Sequence, residues 1–192
     1  MLHSLRQSLA SFASRRAAAA GSPRIAERWH RLACALAPSL VPSHAALAGL
    51  LRAREQRWAA RTVAQEAAER FPQNPDAWML LGEAWQHVYR PREALAAFEQ
   101  ALTLEERPDA ALAAGMIYRR AGQFPEAAAR FARAYAAGGG PDALLQNAEA
   151  LFHAGDEAAA EQALTLWATQ VPQGAERLPA LLAELHLARR AS

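Results

Sequence analysis

The tripeptide Pro-Asp-Ala occurs at Pro75-Asp76-Ala77, Pro108-Asp109-Ala110 and Pro141-Asp142-Ala143, each copy 33 residues after the one before. Self-similarity at that period arises when one supersecondary unit is copied and stacked, because a lone unit cannot bury its own apolar face. Proline suits the first position of a helix, where its missing N–H would be unpaired in any case. The aspartate after it sets a negative charge at the positive end of the helix dipole. The tripeptide therefore reads as a helix start, repeated at a fixed interval.

The residues between the tripeptides carry the same period. Residues 75–107 contain Trp78-x2-Leu81-Gly82-x2-Trp85, then Ala94-x3-Phe98 and Ala101. Residues 108–140 give Ala114-Gly115-x2-Tyr118, Ala127-x3-Phe131 and Ala134. A looser copy over 141–173 has Leu144, Leu145, Ala148, Leu151 and Ala160-x3-Leu164, with Trp167 where a small residue is expected and Pro172 near its end. Upstream, 41–74 offers Leu47-Ala48-x2-Leu51, Ala60, Ala64, Ala67 and Pro72, and 7–40 mainly Ala26, Ala33 and Pro38.

Small residues recur in two columns, Gly82, Gly115 and Ala148 in one and Ala94, Ala127 and Ala160 in the other. Small side chains there let two helices of a hairpin approach closely, and the bulky Trp78, Leu81, Trp85, Phe98, Tyr118 and Phe131 are expected to fill the layer between hairpins. The composition agrees. Half the chain is apolar (52%) while only 7% is aromatic, much of the remainder being alanine, the best helix former.

This pattern resembles the tetratricopeptide repeat, a pair of antiparallel helices marked by a large, a small and a further aromatic residue. The resemblance implies an all-α fold: a right-handed superhelical solenoid of antiparallel helix pairs with a C-terminal capping helix. Residues 1–192 are then expected to form a single domain. It comprises a degenerate first hairpin over 7–40, repeats over 41–74, 75–107, 108–140 and 141–173, and a cap over 174–192. Leu178, Leu181, Leu182 and Leu185 share one face of that cap, with Arg189 and Arg190 at its C-terminal end, where cations are favoured.

The N-terminal region admits two readings. Leu2, Leu5, Leu9 and Phe12 form one stripe at helical spacing, and Ile25, Trp29, Leu32 and Leu36 form another. Together they predict a first hairpin or, alternatively, a separate anchoring or targeting segment. The first 24 residues are free of acids and rich in Arg, Ser and Ala, as in a transit peptide. Against targeting, the alanine run after Arg15-Arg16 breaks at Gly21-Ser22-Pro23, and charged residues crowd the segment before Cys34. No stretch approaches the ~20 apolar residues of a membrane-spanning helix. A cytoplasmic location is the expectation, with targeting as the alternative. Gly138-Gly139-Gly140 either ends a helix or acts as a hinge.

Charge is unevenly placed. Residues 1–64 hold ten arginines against Glu27 and Glu55, whereas 65–192 hold eleven against seventeen acids. Such asymmetry points to an anionic surface docking through Arg6, Arg15, Arg16, Arg24, Arg28 and Arg31, or to a solvated face with no partner. Nucleic acid is disfavoured, because the basic region has no interleaved aromatics and no known module.

Nothing in the sequence assembles a reactive centre. The six histidines are scattered without metal-ligand spacing, and Gly138 to Gly140 lack the Lys-Ser or Lys-Thr of a phosphate loop. Cys34 is the one cysteine, so no disulfide can close within the chain, and it reads as a packed small residue. The expectation is a protein that is not an enzyme, with no cofactor and no metal.

The resemblance also implies where a partner binds. In this family the concave wall comes from the first helix of each repeat, at the second, fifth, ninth, twelfth and thirteenth positions. Here those positions from the fifth onward are Met79, Glu83, Gln86 and His87, then Leu112, Met116, Arg119 and Arg120, then Leu145, Glu149, Phe152 and His153. The expected wall is an apolar strip of Met79, Leu112, Met116, Leu145 and Phe152 flanked by charge, suited to an amphipathic helix or an extended peptide. Two alternatives stand beside it: these side chains contact the helix behind, or the chain's own N-terminal segment fills the groove. Some family members grip a C-terminal carboxylate with Lys and Asn. This chain has no lysine, and Asn74 and Asn147 lie off the expected wall. The functional expectation is an adaptor or assembly factor that binds a protein or peptide, the alternatives being the recognition subunit of a separately encoded enzyme, such as a transferase, or a secretion-type chaperone.

Overall fold

The computed structural model describes residues 2–36 and 41–191, with side chains over 8–36 and 41–183. Pro38 lies outside the described residues, as do the side chains of Leu2, Leu5, Arg6, Leu185, Arg189 and Arg190. Among the described residues there are eleven helices and no strand. They fall into two compact units, Met1–Leu104 and Glu105–Ser192.

The first unit holds α1 (Leu2–Ala18), α2 (Pro23–Leu36), α3 (Val41–Ala53), α4 (Arg57–Arg70), α5 (Pro75–His87) and α6 (Pro91–Leu104). Consecutive helices pair into hairpins, α1 with α2, α3 with α4 and α5 with α6. Helix α5 starts at Pro75, and the Asn74 side chain accepts the Asp76 N–H at 2.9 Å, which satisfies one of the amides a helix start leaves open. Leu47, Leu51, Val63, Leu80 and Leu81 form the shared core, with Trp78 and Trp85 packed half-buried against it. The Trp78 indole keeps its polar edge satisfied by donating to the Pro72 carbonyl at 2.9 Å.

The α5/α6 crossing shows why a small residue is needed there. A Cβ on Gly82 would lie 2.4–2.8 Å from the Phe98 ring, which is itself only 1% exposed. Phe98 therefore lies at the crossing inside its own hairpin. That differs from the layer between hairpins expected from the sequence, because the glycine leaves a hollow into which the ring settles.

The second unit holds α7 (Pro108–Arg120), α8 (Phe124–Ala136), α9 (Pro141–His153), α10 (Glu157–Gln170) and α11 (Gly174–Ala191). Gly115 repeats the arrangement of Gly82, with a hypothetical Cβ 2.7–3.1 Å from the Phe131 ring, so Phe131 too sits within its own hairpin. In α9/α10 both columns change together: Ala148 replaces the glycine, and Leu164 replaces the phenylalanine in one buried cluster. The alanine methyl takes space that the shorter leucine leaves.

Gly138 and Gly139 return their amides to the Tyr135 and Ala134 carbonyls, so the glycine run closes α8. Helix α11 then covers the last hairpin. Leu178 and Leu181 pack against Leu144, Trp167 and Ala168, and the Arg177 guanidinium lies over the Trp167 ring at 5.4 Å. At this position, where a small residue is expected, Trp167 is buried among Leu144, Tyr135, Leu178 and Leu181.

The turns after α3, α5, α7 and α9 share one backbone path. The next-but-one amide returns five residues, from Gln56 to Leu51, Arg90 to Trp85, Gln123 to Tyr118 and Asp156 to Leu151. Each turn needs a left-handed residue. In the second unit that residue is Gly122 or Gly155, but in the first it is Glu55 (φ 58°) or Tyr89 (φ 59°), at a cost of about 1–2 kcal/mol each relative to glycine.

Candidate partner-binding surface

Each unit carries its own portion of the expected wall. In the first, Met79 is buried (8% exposed) and offers little surface, while Glu83 and Gln86 are half-buried and His87 is exposed. Arg52 of α3 reaches across to α5, 3.4 Å from Glu83 and 2.9 Å from His87 Nε2. A concavity of about 250 Å³ opens beside them, lined by Arg52, Glu55, Arg57, Gln86, His87 and Tyr89. Arg57 links its two left-handed residues. It donates to Glu55 at 2.8 Å and to the Tyr89 hydroxyl at 3.1 Å, with its guanidinium 5.6 Å from the centre of the Tyr89 ring.

In the second unit, Leu112 and Met116 of α7 lie half-buried against the Phe131 cluster. Leu145 of α9 packs against the clusters around Trp167 and Leu164. These three side chains thus serve the core on one side and present an edge on the other. Arg119 bridges α7 to α9 by a 2.7 Å ion pair to Glu149, and its other nitrogen lies 3.4 Å from the Met116 sulfur. Beyond it, His153 stacks on Phe124 with ring centres 4.9 Å apart and meets Phe152 edge-on at 5.7 Å. Arg120 is exposed.

A rule emerges from the two faces. Arg52 to Glu83 and Arg119 to Glu149 occupy the same pair of register positions, the twelfth of one first helix and the ninth of the next. Each pair has partners between 28% and 47% exposed, so its contribution to stability is small, about 0–1 kcal/mol. Its main effect is to hold neighbouring first helices side by side and to fix the charges on the face. Reading the sequence missed Arg52, Arg57, Tyr89 and Phe124. Arg52 was within reach, since extending the register into residues 41–74 puts it at the twelfth position. Tyr89 stands as an aromatic residue in the turn column it shares with Glu55, Gly122 and Gly155.

Burial and, to a lesser degree, Glu66 push the Cys34 thiol up to about 11, so it stays protonated and unreactive at neutral pH. Burial lowers the His30 imidazole below its ordinary value. Among the described residues no three His, Cys, Asp or Glu side chains cluster closely enough to hold a metal ion. No helix there is long and apolar enough to cross a membrane.

Comparison with known proteins places this architecture. No protein-family model and no curated protein matches the sequence. Solved structures do match the fold. The MamA protein superposes with a TM-score of 0.70 at 15% identity, covering 91% of this chain and 94% of its own. YrrB, described as a tetratricopeptide-repeat protein with an unusual peptide-binding site, gives 0.66 at 20% identity over 88% of both chains. The fold is that of a tetratricopeptide-repeat protein. TTC0263, a thermophilic tetratricopeptide-repeat protein of Thermus thermophilus, is similar over 95% of this chain and 99% of its own, with a TM-score of 0.58 and 20% identity. At these identities the likeness reaches the backbone arrangement alone. The side chains of the two faces are this chain's own.

Proposed function

We propose that the protein is a non-catalytic adaptor or assembly factor of the cytoplasm that holds a segment of a protein partner on its first-helix faces. The observation that carries this reading is the second unit's face, where Leu112, Met116, Leu145 and Phe152 offer apolar edges framed by Arg119, Arg120, Glu149 and His153. An amphipathic or extended segment suits such a face: its apolar anchors meet the half-exposed edges, and its charged side chains meet the Arg119–Glu149 pair. YrrB, which shares the fold, is described by its peptide-binding site, and that precedent supports the reading. The recognition subunit of a separate enzyme and the secretion-type chaperone would use the same face and differ only in what they deliver.

Co-purification with mass-spectrometric identification supplies the partner, and two variants then test the face. Met116→Asp with Leu145→Asp should abolish capture while helicity is kept. Because both side chains touch the core, Arg120→Glu with His153→Glu, at exposed positions, provides an independent arm. Recovery of the same partners by both variants would refute the assignment.

The basic N-terminal third gives a second reading. We propose that it docks an anionic surface through Arg15, Arg16, Arg24, Arg28 and Arg31, all exposed. Glu27 is the one acid of the hairpin α1/α2, and it is already engaged by Arg31 and Arg54.

A further inference from the structure

Among the described residues, the hairpin α1/α2 buries only small side chains: Ala10, Ala13 and Ala17 on α1 and Ala26, Ala33 and Cys34 on α2. Its large apolar residues point elsewhere. Seven large apolar or aromatic side chains are exposed among the described residues, and four of them, Leu9 (44%), Phe12 (48%), Ile25 (50%) and Leu32 (42%), lie on this one hairpin. Exposure on that scale at one place marks a contact surface, since scattered single residues would need no explanation.

The two rows face the same side. Leu9, Phe12 and Arg16 follow one another at helical spacing on α1, as do Ile25, Trp29 and Leu32 on α2. Phe12 meets Trp29 edge-on at 6.1 Å, and the Arg16 guanidinium lies 5.8 Å from the same ring. A continuous apolar ridge results, with cations along its border. Among the described residues Arg15, Arg24 and Arg28 have no carboxylate partner.

Three occupants can be weighed. A second copy docked head to head would set these arginines against their own counterparts. Docked against α11 of a second copy, the ridge would find Ala175, Pro179, Ala180 and Ala183 exposed there, and among the described residues of that unit Leu166 of α10 is the one large apolar side chain exposed. Nucleic acid would answer the arginines but leave Leu9, Phe12, Ile25 and Leu32 in water. A bilayer interface rich in anionic lipid answers both: headgroups pair with the arginines while the ridge enters the boundary of the acyl chains. We infer that the α1/α2 hairpin is a membrane-surface docking element for anionic lipid, lying on the bilayer without crossing it. This deepens the reading of the basic third and rests on it, and it is independent of the peptide-binding face.

Vesicle co-sedimentation of the full chain tests it, with phosphatidylcholine alone and with phosphatidylcholine and phosphatidylglycerol in equal parts, at low and high salt. Binding is expected only to the mixed vesicles and is expected to weaken with salt, since exposed charge attraction is screened. Arg24→Gln with Arg28→Gln should weaken it about tenfold or more. Phe12→Ser with Ile25→Ser, at exposed positions that leave helicity unchanged, should weaken it to a similar degree and remove whatever binding survives high salt. If the arginine pair matters and the serine pair does not, and heparin or duplex DNA is bound equally well, the anionic-surface reading stands and the lipid inference falls. If neither variant changes binding, or neutral vesicles bind as well as mixed ones, both fall. Light scattering that shows a dimer abolished by Phe12→Ser would assign the ridge to a second copy instead.

Discussion

The Gly115–Phe131 contact allows a quantitative test of how the hairpins are packed. An alanine at 115 would place its methyl 2.7 Å from one Phe131 ring carbon and 2.8 and 3.1 Å from two others. Carbon atoms settle about 3.5–4.0 Å apart, so ring or helix must give way by roughly 0.7 Å. Phe131 is wholly buried among Ala127, Ala128 and Ala150. Overpacking of this kind costs about 1–3 kcal/mol, against about 1 kcal/mol gained from replacing glycine in a helix interior. Because the net change in the single variant is small, a cycle is the sharper measurement. Phe131→Leu alone should cost about 1–2 kcal/mol through lost contact and a small void. Combined with Gly115→Ala it recreates the Ala148 and Leu164 pairing that the chain already uses, and the methyl enters the space the ring vacated. Urea unfolding of wild type, both single variants and the double variant should give a favourable coupling of about 1–2 kcal/mol. In melting temperature that is about 2–8 °C for a chain of this size. Coincidence of helical circular dichroism with tryptophan fluorescence checks that each transition is two-state. Additivity within about 0.5 kcal/mol would show that the ring and residue 115 do not share space, and the packing account would fail.

Gly49→Ala is the matched control. Nothing lies within 4 Å of its would-be Cβ, so α3 should gain about 0.5–1 kcal/mol, seen as a higher urea midpoint. Asn147, 7% exposed, donates to the Ala128 carbonyl at 2.7 Å. Asn147→Ala should cost about 1–3 kcal/mol, and an unchanged melting curve would show that this tie between α8 and α9 carries nothing. Cys34 should react slowly with a thiol reagent at pH 8 in the native state and rapidly in urea, because its thiol is both buried and raised to about 11; rapid native labelling would contradict both. Burial lowers His30 in the fold, so its neutral form is favoured there. Stability from this group is complete above the unfolded value of 6.5 and is lost as pH falls from there through the folded value. His30→Leu should flatten the dependence of melting temperature on pH between about 7 and 5, whereas an unaltered slope would assign the titration to other groups.

The helix starts were legible because capping is local chemistry: a proline and an aspartate at Pro75, Pro108 and Pro141 act on the next few amides wherever the chain goes. The columns of small residues were legible for a related reason, since repetition writes each packing requirement several times. That redundancy shows in the third pairing, where Ala148 and Leu164 satisfy the same volume with different residues. What escaped the sequence depends on contacts between helices, within one copy or from one copy to the next. Phe98 and Phe131 could be seen as large residues opposite small ones, but the depth at which each ring settles depends on two helices meeting. The Arg52–Glu83 and Arg119–Glu149 pairs span 31 and 30 residues and surface only when columns are compared across repeats. The exposed row of Leu9, Phe12, Ile25 and Leu32 reads as core at helical spacing; only burial shows that alanines took that place. Positions where the copies agree therefore specify the repeated hairpin. Positions where they differ, such as Tyr89 in the turn column or Phe152 in line with Arg52, Gln86 and Arg119, are free of that requirement. Those are where selectivity for a partner has room to be written, and each is written only once.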